Sequence, residues 1–165
     1  MEKKFCCQIN PNTEYLEKLH KKHNWIPGKN NIRPTEEILI QKENYISNIN
    51  IFYESEKDFV LTEFFNFKHS INNDGKIYVK NIDVDKKHLF LNNLFPYDVH
   101  IGTFHYVLWY SYVDDKVIDE KKINSDINSE LTSILKDELY DYVWYENPKK
   151  HMKDIYHIQV FWRKI

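Results

Sequence analysis

The residues best equipped for chemistry fall on the last strand-like segment of the chain. Over 155–164 the side chains alternate between two faces. One face carries Tyr156, Ile158, Val160 and Trp162, an apolar set that reads as core. The other carries Ile155, His157, Gln159, Phe161 and Arg163. On that second face His157 and Arg163 suit an anion, Gln159 a hydrogen-bonding group and Phe161 a planar or apolar part. Arginine fits phosphate in particular, because its charge is permanent and its donors form a fork. The plainer expectation for the same face is a polar edge in solvent near the C-terminus.

A second candidate surface lies at 140–146, where Tyr142, Trp144 and Glu146 share a face. An indole with a carboxylate two residues on can stack against a cationic or N–H-rich purine and accept its hydrogen bonds. The alternative is that Trp144 is core and Glu146 is merely exposed. His105, just after Gly102, shares a face with Val107 and Trp109. Lys149 lies in the basic turn Asn147-Pro148-Lys149-Lys150-His151, which suits the approach of a phosphate. The candidate ligand-binding set is therefore Trp109, Trp144, Glu146, His105, His157, Gln159, Arg163 and Lys149. If the protein is an enzyme, His157 is the catalytic nucleophile or general base, since imidazole titrates near neutrality. His100, His105, His151 and His157 do not form the close pairs typical of zinc ligands, so no metal and no cofactor are expected. Phosphate-loop, dinucleotide and nucleophile-elbow motifs are absent from the sequence.

Composition narrows the class. The chain has 165 residues, 42% hydrophobic and 29% charged, with a formal net charge of −2. That balance is globular and argues against a DNA-coating role. No apolar run is long enough to span a bilayer, and the N-terminus lacks a secretory pattern. Cys6 and Cys7 are adjacent, which suits reduced thiols in the cytoplasm better than a disulfide framework. There is no alanine, while 17 Asn, 19 Ile and 21 Lys point to an AT-rich genome such as that of a large DNA virus, with the host cytoplasm as the compartment in that case. Aromatic residues reach 16%, enough to fill a core and leave a stacking surface.

These side chains need elements to position them. A short helix is expected over 11–23, followed by a loop through Pro27, Gly28 and Pro34. Thr35 with Glu36 and Glu37 starts a helix carrying Tyr45, Ile46 and Ile49, and a second amphipathic segment runs from Ser55 to Lys68. Asn73-Asp74-Gly75 is a hairpin-type turn leading into a strand over Lys76–Val84. Strands are expected at 104–112, 140–146 and 155–164. A helix capped by Ser125 or Asp126 precedes the last two, while Asp119-Glu120 reads as loop charge. The sum is one α+β domain over 1–165, with an N-terminal helix and loop over 1–34. Its helical N-terminal half packs on a mostly antiparallel sheet formed by the C-terminal half.

Two stretches resemble a known family. Asn93-Leu94-Phe95-Pro96-Tyr97-Asp98 followed by His105-Tyr106-Val107-Leu108-Trp109-Tyr110-Ser111 resembles the signature of the N-acetylglucosamine-induced protein 1-like family. Val143 to Pro148 and Tyr156 to Arg163 resemble its closing segment. The resemblance covers the chain from about residue 32 and implies a shared fold unit, in a family without an assigned activity. His157-Ile158-Gln159 also looks distantly like the active strand of the histidine-triad transferases, by which His157 would be the nucleophile and Gln159 the phosphate-binding residue. The first histidine of that motif is Ile155 here, and the glycine-rich approach loop is missing.

The function expected from these residues is a binding module for a nucleotide-like or phosphorylated ligand, an mRNA cap or capped RNA among the candidates. A histidine-dependent nucleotidyl transferase or phosphohydrolase is the first alternative, and a protein-interaction domain with a protein partner the second.

Overall fold

The computed structural model describes residues 34–80, 86–99, 101–112, 118–146, 152 and 154–165. The helix expected over 11–23, the cysteine pair, His100, Lys149 and His151 lie outside the described residues. Helix α1 (Glu36–Phe52) begins where Thr35 is extended and its hydroxyl accepts the Ile38 N–H, with Glu36 and Glu37 at the positive end of the helix. Helix α2 (Glu56–Glu63) starts in the same way. The Ser55 hydroxyl accepts the Asp58 N–H at 3.1 Å, and the far oxygen of Asp58 accepts the Val79 N–H at 2.8 Å.

Next in chain order, before the main sheet, comes a small hairpin of β1 (Ser70–Ile71) and β2 (Ile77–Tyr78). Its turn forms because Asn72 Oδ1 accepts the N–H groups of Asp74 and Lys76, both at 2.9 Å, and Gly75 takes a φ of +78°. The strand expected over Lys76–Val84 is thus two residues long within its described part.

The main sheet contains β3 (His88–Asn92), β4 (Phe104–Tyr110), β5 (Tyr140–Tyr145) and β6 (His157–Lys164). Its order is β3-β4-β6-β5 and every pairing is antiparallel. Helix α3 (Glu120–Leu135) makes the connection from β4 to β5. The chain is therefore α+β, with helices first and the antiparallel sheet in the C-terminal half.

Both faces of the sheet are covered. Ile123, Ile127, Leu131 and Leu135 of α3 pack on Leu108, Tyr110, Tyr142, Trp144, Ile158, Val160 and Trp162. On the opposite face Ile49, Phe59, Val60 and Leu61 of α1 and α2 pack on Val107, Trp109 and Ile155. The side chains of β6 divide as their alternation requires, but neither face is a solvent edge. His157, Gln159 and Phe161 are buried too.

The start of α3 differs from the sequence expectation. Asp119 is its N-cap, accepting the Lys122 N–H at 2.8 Å, and Glu120 is its first residue. Asp126 is a buried mid-helix acceptor instead. It receives the Tyr110 hydroxyl at 2.7 Å and the Lys122 ammonium at 2.7 Å. An aspartate four residues beyond a lysine suits a cap and a helix-face ion pair equally in sequence, and burial beside Tyr110 decides for the second. Among the described residues no helix is long and apolar enough to cross a membrane.

Candidate functional site

A cavity of about 360 Å³ lies between α1, α2 and the sheet. That volume is at the small end of the range for small-molecule sites. Its walls are aromatic: Tyr45 from α1, Phe59 and Phe64 from α2 and its end, Phe95 from the loop after β3, and Trp109 from β4. Its polar groups are few: Lys42, Asn92, Asn93, His157 and Gln159. Apolar walls with a few placed polar groups are the composition expected of a small-molecule site.

Strand register builds the back wall. Trp109 and His157 are opposite partners on β4 and β6, and their rings stack at 4.7 Å with 30° between planes. Phe64 meets Trp109 edge-on at 5.6 Å. Because a carbonyl can only accept, the 2.9 Å contact to Ile155 O places a proton on Nδ1 of His157. In the neutral ring Nε2 is then the lone-pair nitrogen.

The floor is a relay joining the loop after β3, His105 of β4 and Gln159 of β6. The Phe95 N–H donates to Asn93 Oδ1 at 2.8 Å, an Asx turn that folds the chain ahead of Pro96. This orientation turns the Asn93 amide nitrogen toward Gln159 Oε1, 3.2 Å away. The Tyr97 N–H donates to His105 Nδ1 at 3.0 Å, so the proton of the neutral ring is on Nε2. His105 Nε2–H in turn donates to Gln159 Oε1 at 2.6 Å. The 3.2 Å approach of Asn93 Nδ2 to His105 Nε2 then brings two donors side by side, and both aim at the same glutamine oxygen. Tyr97 closes the loop by pairing its hydroxyl with that of Tyr145 at 2.9 Å.

His105 is 2% exposed and stacks on Phe161 at 4.2 Å. Burial pulls its pKa from 6.5 down to about 3. The charge of Lys42 acts in the same direction, and the hydrogen bond to Gln159 opposes both. The floor is therefore uncharged at neutral pH.

Trp109, His105, His157 and Gln159 of the sequence-derived set come together here, His105 as support beneath Gln159 and the others on the cavity surface. Trp144 and Glu146 do not join them. Trp144 is core on the α3 face of the sheet, with its indole N–H donating to Asn124 Oδ1 at 2.8 Å. Glu146 is half-buried and accepts from the Tyr156 hydroxyl at 3.4 Å. Alternation put these two on one face correctly, but that face is covered by α3. Arg163 lies at the far end of β6 from His157, its Nε 4.0 Å from buried Asp141, so it does not line the cavity. Lys149 is outside the described residues.

Sequence reasoning missed Asn93, Tyr97, Lys42, Tyr45, Phe59 and Phe64 as site residues. An asparagine three residues before a proline signals an Asx turn, which would have found Asn93. Among the described residues no three His, Cys, Asp or Glu side chains gather in a way that could hold a metal ion.

No family model matches the chain, and no curated protein matches it. Among solved structures, the crystal structure of HTC1 is similar, with 13% identity and a TM-score of 0.48. The match covers 92% of this chain and 82% of that one.

Proposed function

We propose that this protein is a binding module for a planar, nucleotide-like small ligand held in the cavity between α1, α2 and the sheet. The observation that carries the proposal is the Gln159 amide. Its oxygen is committed to His105 and Asn93, and its nitrogen is left to a cavity walled by aromatic rings. The rings supply dispersion and stacking area for a flat group, and the amide supplies a directional bond. Lys42 takes the place of Arg163 as the cation for an anionic substituent. The segments that resemble the N-acetylglucosamine-induced protein 1-like family contribute Asn93, Tyr97, His105, Trp109, His157 and Gln159. Their convergence supports treating them as one unit. The adjacent cysteines Cys6 and Cys7 support a reducing, cytoplasmic compartment.

A thermal-shift panel tests the proposal with GTP, ATP, a methylated cap analogue, a dinucleoside polyphosphate, UDP-GlcNAc and inorganic phosphate. A nucleotide at about 100 times its Kd stabilises by roughly 2.7 kcal/mol, several degrees in a domain this size. A shift with a base-containing compound and none with phosphate is the expected result. No shift with any compound contradicts it and turns the search to a protein partner.

One observation favours a catalytic variant of the same site. The bond from Nδ1–H to Ile155 O fixes the His157 tautomer that a nucleophile or general base needs. Turnover of the dinucleoside polyphosphate by the wild type and its loss in His157→Ala would establish that variant, and equal turnover in the two proteins would remove it.

A further inference from the structure

The geometry points to a hydrogen-bond donor of fixed polarity at the floor of the cavity. That donor, the Gln159 amide nitrogen, selects ligands that bring a carbonyl oxygen or a bare ring nitrogen to it, and Asn93 and His105 are the positioning residues that impose the choice. This inference rests on the proposed use of the cavity as a ligand site, and it goes further by naming which edge of a planar ligand enters first.

A glutamine amide can ordinarily be turned end for end, presenting either a donor or an acceptor. Here two backbone donors remove that freedom. A peptide N–H cannot become an acceptor, so Phe95 N–H fixes the Asn93 amide and Tyr97 N–H fixes the His105 tautomer. Each of these side chains then offers Gln159 a donor, at 3.2 and 2.6 Å. Turning the Gln159 amide over would set its NH₂ against both donors and break two bonds in a buried place. The oxygen therefore stays inward. The nitrogen, on a residue only 8% exposed, is given no acceptor by the described residues. Water in the cavity can satisfy this donor, so the cost arises on binding: a ligand that displaces the water and brings an acceptor keeps the bond, whereas an apolar or N–H-bearing ligand leaves the donor unpaired.

Three flat bicyclic probes of similar size separate the possibilities: quinoline, which has a ring-nitrogen acceptor; naphthalene, which has neither group; and indole, which has an N–H donor. Each is titrated into the ¹⁵N-labelled full chain, following the Gln159 side-chain amide and the Trp109 indole by NMR. The expected result is that quinoline binds roughly tenfold more tightly than naphthalene, that indole gains nothing over naphthalene, and that the Gln159 NH₂ signal moves with quinoline alone. In Gln159→Glu one carboxylate oxygen accepts from His105 and Asn93 while the other faces the cavity. The order of quinoline and indole is therefore expected to invert. Equal affinity of the wild type for all three probes, with Trp109 responding, overturns the fixed polarity and leaves the cavity as a ligand site. No response of Trp109 or Gln159 to any probe overturns the ligand site and the polarity together. The ranking in the wild type decides the matter even if the glutamate variant fails to fold.

Discussion

Acidification will destabilise this protein through His105, and the size of the effect follows from its burial. The ring takes up a proton near pH 6.5 in the unfolded chain but only at about 3 in the folded one. Folding is therefore favoured fully above 6.5, and the advantage drains away as the pH falls from 6.5 toward 3. With each pH unit worth about 1.4 kcal/mol, moving from about pH 7.5 to about pH 5 removes roughly 2 kcal/mol. In a chain of this length that is a fall of about 4–8 °C in melting temperature. Thermal melts of the wild type and His105→Gln across this range isolate the effect, because the carboxylates and the remaining histidines are common to both. The variant should start less stable, having disturbed the buried relay, and should then lose roughly 2 kcal/mol less on acidification. Parallel pH curves for the two proteins would refute the buried neutral imidazole and, with it, the relay that orients Gln159.

Two substitutions on the opposite face separate stability from binding. Trp144→Phe deletes ring volume and the 2.8 Å bond to Asn124, so chemical denaturation should show a loss of roughly 2–3 kcal/mol, with nucleotide binding unchanged. Tyr110→Phe removes the hydroxyl that donates to buried Asp126 at 2.7 Å, a hydroxyl whose pKa is pushed up by burial and by that carboxylate. The same assay should show roughly 1–3 kcal/mol of destabilisation, reflecting an acceptor left short of a partner.

Local signals in the sequence located most elements because their causes are local. The caps at Thr35 and Ser55 and the turn at Asn73-Asp74-Gly75 depend on side chains within a few residues of the backbone they hold. Strand alternation likewise separated His157 and Gln159 from Ile158 and Val160. What alternation cannot tell is what covers each face. Trp109 and Trp144 both sit on apolar strands, and only the placement of α1, α2 and α3 makes one a cavity wall and the other core. Strand β3 went unread because its five residues are short and lie directly before the Asn93 turn. The relay escaped for a different reason. Asn93 and Gln159 are 66 positions apart, and nothing nearby in sequence marks either as the other's partner. Asp126 reads in sequence as a helix cap, and its actual place inside the helix depends on Tyr110, 16 positions away on another element.

The most direct test of the account compares two indole signals, those of Trp109 and Trp144, while the nucleotides of the panel are titrated into the ¹⁵N-labelled chain. The account requires the Trp109 indole and the Gln159 side-chain amide to shift together and saturably with at least one nucleotide, while the Trp144 indole stays still. Movement of Trp144 with Trp109 and Gln159 unchanged would place the ligand on the α3 face and contradict it.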